Sequence, residues 1–207
     1  DFRKVLNNVS DVYRDNREKI IAQASQMQDI FSKINQRSAV LNQPLLPFVD
    51  KIISYLDEEH GSFKGAPKFP QFYLFDAMFY FYLKTNDEKY LKPVETLLKN
   101  ICSKGIYDQL IGGIARYTVD DKWIIPHFEK MLYDNIQFIS LLSKFYQSTK
   151  SDYFKSKLIQ TINYINTEFV NDIGLYGSAY DADSEGVEGK FYTWSFDELS
   201  KILQTNL

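Results

Sequence analysis

The chain has 207 residues, enough for one domain with a substantial core. Its net charge of −3 comes without a block of like charges, so the composition favours neither a nucleic-acid partner nor a membrane surface. The sequence shows no long uncharged apolar run and no cleavable signal at its start. The single cysteine, Cys102, excludes an internal disulfide framework and a CxxC redox or zinc site within the chain. We therefore expect a cytoplasmic location, with no membrane or nucleic-acid partner.

The first region of the chain is helical in pattern but polar in composition. Apolar side chains recur at a rough helical period over residues 2–34, which predicts one long or broken helix. Residues 48–56 then form an amphipathic pattern that predicts a helix ending near Gly61, a residue type that suits the position after a helix end. The sequence thus indicates a connector helix at 1–40, followed by the main domain at 41–207.

The main domain alternates two kinds of helical segment. Residues 71–84 and 128–146 are apolar nearly all round, which predicts buried helices. Residues 90–101 and 154–169 are amphipathic, which predicts helices with one exposed face. Ser195 and Glu198 have the spacing of a capping box and predict the start of one more helix. The alternation is typical of inner and outer helices in concentric layers.

The connections between these segments differ in length. Those that follow an apolar helix are short, whereas those that follow an amphipathic helix are long and rich in Gly, Asp and aromatic residues. In an antiparallel array the long loops must lie at one end, which is then the functional face. We predict an all-α fold of αα-hairpins, the first half of an (α/α)6 toroid, with short β-hairpins in the long loops. An open half-ring would also expose apolar flanks, through which the chain could self-associate.

The stretch at 105–135 holds the densest set of chemically active side chains. Pro126 suits a first helical turn, where its missing N–H has no cost. A helix starting there would place His127 and Asp134 on one face, close to the positive end of the helix dipole. The alternative is a capped helix whose polar residues meet only solvent or loop backbone.

Three loops together resemble a known family. The sequences GSFKGAPKFP (61–70), GIYDQLIGGIARYTVDDKWIIPHFEKMLYDN (105–135) and GLYGSAYDADSEGVEGKFYTW (174–194) are similar to the thioredoxin-domain-containing, spermatogenesis-associated protein family. The resemblance implies an (α/α)6 toroid of the six-hairpin glycosidase and N-acylglucosamine 2-epimerase type, preceded in the family by a thioredoxin-like domain. Residues 1–40 would be the connector that follows that domain. We expect the thioredoxin domain and the second half of the toroid to be missing from this chain, so redox activity is not implied.

His127 is the first candidate for a catalytic residue. Imidazole suits reversible proton transfer near neutral pH, and the resemblance to sugar epimerases implies an acid/base role of this kind. The alternative is a histidine that caps a helix or bonds loop carbonyl groups. Asp134 or Glu129 would orient the imidazole or serve as a second acid. A glycosidase would need two carboxyl groups about 5–5.5 Å or about 6.5–9.5 Å apart.

Seven further side chains in the loops are candidates for substrate binding: Lys68, Tyr107, Asp108, Arg116, Trp123, Asp181 and Asp183. The cations could anchor an anionic group, although Lys68 could instead pair with a loop acid. The aromatic residues could stack on a sugar or simply wedge the loops apart. Asp181 and Asp183 could bind substrate hydroxyls.

No metal or cofactor is predicted. Residues 181–186 imitate the start of an EF-hand loop, but Tyr192 stands where that loop needs its bidentate glutamate. The sequence contains no phosphate-binding glycine loop and no nucleophile elbow. The leading hypothesis is a carbohydrate-active protein that binds a small sugar, similar to an epimerase, isomerase or glycosidase. The alternative is a non-catalytic protein-interaction module or an inactive fragment of a larger protein.

Overall fold

The structure, a computed structural model, describes residues 1–35 and 45–203. The chain divides into two compact units, Asp1–Pro44 and Leu45–Leu207. The first unit contains α1 (Phe2–Asp15) and α2 (Arg17–Asn35). Asn16 lies between them in a non-helical conformation, so the expected helix at 2–34 is a broken one. The predicted boundary at residue 40 lies outside the described residues.

The second unit is built from helices with short strands in the loops. Its helices are α3 (Leu45–Ile53), α4 (Phe72–Thr85), α5 (Glu88–Ser103), α6 (Leu132–Thr149), α7 (Asp152–Glu168) and α8 (Phe196–Leu203). Its strands are β1 (Tyr117–Thr118), β2 (Pro126–His127), β3 (Lys130–Met131), β4 (Ala179–Tyr180), β5 (Asp183–Ser184) and β6 (Val187–Glu188). They pair antiparallel as β1–β2, β3–β4 and β5–β6. No helix within 1–35 or 45–203 is long and apolar enough to cross a membrane.

The core lies between the two apolar helices. α4 packs against α6, while α5 covers α4 and α7 covers α6. The rings of Phe72 and Phe138 meet across the inner pair, with centroids 5.6 Å apart. α5 buries a single face through Leu97, Leu98 and Ile101, as an amphipathic outer helix should. The predicted alternation of inner and outer helices is therefore confirmed for α4 to α7.

The short connections at one end of the array are built alike. α4 is followed by Asn86 (φ 54°) and α6 by Lys150 (φ 55°), both in the left-handed conformation that commonly terminates helices. Asp87 then accepts a hydrogen bond from the backbone N–H of Lys89 and so begins α5. At the other end, Ser195 and Glu198 form the predicted capping box of α8 through reciprocal hydrogen bonds. The long connections, which carry the β pairs, gather at the opposite end from these turns.

The prediction that α3 extends to Gly61 is wrong. The helix ends at Ile53, and the carboxylate of Asp57 then accepts hydrogen bonds from the backbone N–H groups of Glu59 and His60. Gly61 lies in the resulting turn at φ 77°, where a Cβ would come within 2.7 Å of the Leu97 backbone. The glycine therefore serves a close approach to α5 and does not follow a helix.

The prediction that Pro126 opens the second apolar helix is also wrong, because α6 begins at Leu132. Residues 126–131 are extended, since β2 pairs with β1 and β3 pairs with β4. The N–H of Leu132 donates to the carbonyl of Ser178, which ties the helix start to a distant loop. His127 therefore lies in a strand, and it shares no helical face with Asp134.

Candidate functional site

The extended segment 126–130 directs its side chains alternately to two sides. Pro126, Phe128 and Lys130 line a cavity of about 580 Å³. His127 and Glu129 are not among the lining residues and contact other partners. This alternation is what an extended backbone produces, and it divides the segment between two environments.

His127 lies in a stack of rings beside a carboxylate. Its imidazole stacks on Tyr117 with centroids 4.8 Å apart, and Tyr117 stacks on Phe69 at 4.6 Å. The register of β1 and β2 sets His127 directly opposite Tyr117. Nδ1 lies 2.7 Å from Oε1 of Glu188. The imidazole is therefore fixed on one face and at one nitrogen, while about a quarter (26 %) of its side chain stays exposed.

The β5–β6 hairpin brings Glu188 to this place. Its two-residue turn, Glu185 and Gly186, has φ values of 54° and 76°, the positive pair that a type I′ turn requires. Gly189, just after β6, packs on the ring of Phe128, where a Cβ would lie 2.5 Å from a ring carbon. The hairpin is thus seated against the segment that carries His127. Sequence reasoning missed Glu188, although alternating residues around Glu-Gly could have indicated the hairpin.

Arg116, Glu129 and Asp134 form a charged cluster next to the ring stack. The guanidinium of Arg116 contacts Oε2 of Glu129 at 3.0 Å, and the Arg116 N–H donates to the Glu129 carbonyl. Burial raises the pKa of Asp134 to about 6, although the nearby Arg116 opposes that change. Within the described part of the chain, Oδ2 of Asp134 and Nε of Arg116 are buried without a hydrogen-bond partner.

These groups have the properties needed for proton transfer. A carboxyl with a pKa near 6 can hold a proton at mildly acidic pH and release it near neutrality. An imidazole bonded through Nδ1 keeps Nε2 free for a second transfer. Because Arg116 and Tyr117 are adjacent, the strand that supports the imidazole also supports the cluster around Asp134. The structure therefore groups Arg116, Glu129 and Asp134 in one cluster, while His127 stacks on Tyr117, the residue that follows Arg116.

Lys68 and Trp123 are part of the loop packing, which corrects their assignment to substrate binding. Lys68 is 1 % exposed, and its ammonium donates to Asp57 at 2.9 Å and to the carbonyl of Phe63 at 2.8 Å. Trp123 is fully buried, and its indole N–H donates to the His60 carbonyl. Both side chains are enclosed and bonded, so neither presents a surface to a ligand.

Tyr107 and Asp108 belong to a second packed region. The Tyr107 hydroxyl bonds to α7 at Gln160 and Thr161, and the ring is buried. Asp108 accepts from Lys130 at 2.8 Å and also from two loop N–H groups. Both residues line the 580 Å³ cavity, which His127 and Glu129 do not line. Their predicted role in substrate binding at the His127 site is therefore not supported by their position.

Asp181 and Asp183 lie on the same loop face and share one cavity. Together with Tyr180 and Tyr192 they line a space of about 320 Å³. The carboxylate of Asp181 accepts a hydrogen bond from the Asp183 backbone N–H, so the chain turns between them. Asp183 is paired with Glu188 across the hairpin, which places this cavity on the same loop as the partner of His127.

No group of three or more His, Cys, Asp or Glu side chains could hold a metal ion within residues 1–35 and 45–203. Cys102 is buried, and burial raises the pKa of its thiol to about 12. A thiol in this state is a poor nucleophile. The polar groups described at the site are the imidazole of His127, the carboxyl groups of Glu129, Asp134 and Glu188, and the guanidinium of Arg116.

Comparison with known proteins gives both relatives and a fold. No family model matches the chain. Spermatogenesis-associated protein 20 of Rattus norvegicus is 28% identical over 98% of this chain and 28% of its own length. The Homo sapiens protein of the same name is 32% identical over 71% of this chain and 20% of its own length. The chain thus spans less than a third of the curated relatives that it matches.

Among solved structures, the chain is similar to cellobiose 2-epimerase from Spirochaeta thermophila DSM 6192. The TM-score is 0.55 at 17% sequence identity, and the match covers 76% of this chain and 40% of the epimerase chain. At this identity the likeness establishes the fold, a six-hairpin toroid matched over part of its length. Together with the relatives, it shows that the chain is homologous to spermatogenesis-associated protein 20 and has the helical-hairpin fold of the epimerase toroids.

Proposed function

We propose that the chain contributes to an enzyme that acts on carbohydrates by proton transfer, in the manner of a sugar epimerase, isomerase or glycosidase. The observation that carries the proposal is that the loops hold both an imidazole oriented by Glu188 and, at Asp134, a second carboxyl whose pKa is about 6. The toroid fold shared with a cellobiose 2-epimerase supports the same reaction class. Because the chain spans part of its relatives, the activity is proposed for the whole protein.

In this proposal His127 and Asp134 divide the proton transfers. Nε2 of His127 takes a proton from the substrate or returns it, since Nδ1 is engaged by Glu188. The carboxyl of Asp134 acts as the acid, because burial keeps it protonated to a higher pH than an exposed aspartate. Glu129 holds the guanidinium of Arg116 in place beside it.

Binding of the substrate is assigned to polar groups around this pair. Arg116 retains 41 % side-chain exposure and can donate to sugar hydroxyls or to an anionic substituent. Asp181 and Asp183 accept hydrogen bonds from hydroxyls in the neighbouring cavity, whose tyrosines offer rings for stacking. Exposed carboxylates and tyrosine rings in one cavity suit a neutral, hydroxyl-rich ligand better than an anionic one.

The test is turnover of a panel of reducing disaccharides and N-acylated monosaccharides in D₂O, followed by ¹H NMR. An epimerase or isomerase replaces a carbon-bound hydrogen with deuterium, whereas a glycosidase produces new anomeric signals. We expect turnover by the full-length protein to fall about 100-fold or more in His127→Asn and in Asp134→Asn. Lys144→Met, which removes an exposed pair with Asp76, should retain it. Turnover that is unchanged in both site variants would contradict the proposal.

A further inference from the structure

We infer that Glu188 is a positioning residue for His127. Its carboxylate keeps the imidazole proton on Nδ1, so that Nε2 is the unprotonated nitrogen that faces a ligand. The two residues lie 61 positions apart in the chain, and their contact arises only through the fold. The consequence for catalysis rests on the proposed function, but the tautomer itself can be measured without turnover.

The contact defines which nitrogen carries the proton. An ionised carboxylate can only accept hydrogen bonds, so Nδ1 must donate across the 2.7 Å that separates it from Oε1 of Glu188. The hydrogen bond made by one ring nitrogen determines the state of the other. For neutral His127, this leaves Nε2 with a free lone pair, as a general base requires.

The ring is also held in orientation. Tyr117 stacks on the imidazole with an interplanar angle of 20°, and Phe69 supports Tyr117 from its other side. A stacked ring can still flip about its Cβ–Cγ bond, and this flip would put Cδ2 in the position of Nδ1. The carboxylate of Glu188 disfavours that exchange, because a carbon atom cannot replace the N–H donor.

The carboxylate is itself held by the hairpin. The N–H of Gly189 donates to the Ala182 carbonyl at 2.9 Å, and the N–H of Phe191 donates to the Ser184 hydroxyl at 3.0 Å. The ring of Phe128 stacks on Tyr192 and packs against Gly189, so the residues that follow Glu188 are anchored to the segment that holds His127. Half of the Glu188 side chain is exposed, so its pair with His127 adds little to stability and its effect lies in the tautomer.

The experiment is ¹⁵N NMR of the imidazole groups, recorded about two pH units above the ordinary histidine pKa of about 6.5. The chain contains two histidines, so His60 provides an internal reference in every spectrum. We expect His127 to be mainly the Nδ1–H tautomer. In Glu188→Ala the ratio of Nδ1–H to Nε2–H should fall about tenfold, the size expected from loss of one charge-assisted hydrogen bond. The tautomer of His60 should not change.

A matched control removes a different carboxylate from the same hairpin. Glu185 pairs with Lys190 and is mostly exposed, and asparagine tolerates its positive φ, so Glu185→Asn should leave the His127 tautomer unchanged. Glu188→Gln retains an uncharged acceptor and should give an intermediate ratio with the fold intact. An Nε2–H tautomer in the wild-type chain, or a ratio unaffected by Glu188→Ala, would overturn the inference. A dependence on Glu188 without sugar turnover would support the positioning role and refute the proposed function instead.

Discussion

Lys130 and Glu129 are neighbours in the chain, yet they belong to two regions that differ in how completely their charged groups are hydrogen-bonded. Lys130 is 3 % exposed, and its ammonium donates to Asp108 and the Gly112 carbonyl while it lies over the rings of Tyr164 and Tyr192. On the other side, Glu129 holds an arginine whose Nε has no partner within the described residues. The fully bonded region serves the fold, and the incompletely bonded region is the one suited to a ligand.

The completeness of hydrogen bonding separates the buried cations of this molecule from Arg116. Lys68 and Lys130 are the more conspicuous cations because they are buried, but each is already paired with an aspartate. Arg116 is less buried and its guanidinium is only partly engaged. A buried charged group whose hydrogen bonds are complete has a structural role. A buried charged group that lacks a hydrogen-bond partner is a candidate for ligand binding or catalysis.

The largest loss of stability is expected from replacing Lys130, whose ammonium group bonds to Asp108 and to the Gly112 carbonyl. Lys130→Met leaves the carboxylate of Asp108 buried without its cation, which should lower the free energy of unfolding by about 3–5 kcal/mol. Lys144→Met is the control, because the pair with Asp76 is exposed and should contribute about 0–1 kcal/mol. Urea denaturation of both variants measures the difference. Equal losses would mean that Lys130 is not a structural cation.

A second, smaller loss of stability is expected at Gly113, which packs against Tyr164, one of the two rings that lie next to the Lys130 ammonium. Its φ is 80°, and a Cβ would lie 2.5 Å from the ring of Tyr164. Gly113→Ala should therefore cost about 2–4 kcal/mol, from backbone strain and overpacking together. Gly174 has nearly the same φ of 79° but open space around it, so Gly174→Ala should cost about 1–2 kcal/mol. The difference between the two denaturation midpoints measures the steric contribution at Gly113, because the backbone strain is nearly the same in the two variants.

The smallest effect concerns Asp134 and has the opposite sign. Because the folded pKa of about 6 lies above the ordinary value of 3.8, ionisation of this group destabilises the fold as pH rises between those values. Asp134→Asn should therefore stabilise the chain at pH 8 relative to pH 4, by about 1 kcal/mol after allowance for solvent screening. Denaturation curves of variant and wild type at both pH values provide the test. A stabilisation independent of pH would contradict a raised pKa.

The sequence predicted the helical part of this architecture well. The periodicity of 71–84 and the capping box at Ser195 identified α4 and α8 because both signals are local. The extended form of 126–131 could not be predicted in this way, since β3 pairs with Ala179 and Tyr180 far along the chain. The local signal of Pro126 favoured a helix, and the non-local pairing prevailed.

The candidate site was predicted in composition but not in arrangement. His127, Asp134, Glu129 and Arg116 were all singled out from one stretch, whereas Glu188 was not. Residue type alone could not show that Lys68 and Trp123 are enclosed, because their partners Asp57 and His60 come from the preceding loop. Whether a loop side chain faces the interior or a ligand is determined by tertiary contacts, which the local sequence does not show.

Sugar binding at the ring stack of His127, Tyr117 and Phe69 can be tested by an NMR titration of the chain with sugars, in which the imidazole signals of both histidines are followed. If sugars bind at the ring stack, signals of His127 should shift with saturation while those of His60 stay in place. Replacement of Arg116 by methionine should weaken the binding, because the partly engaged guanidinium is lost. Sugars that leave His127 unaffected, or that bind equally well to an Arg116→Met variant, would contradict sugar binding at this site.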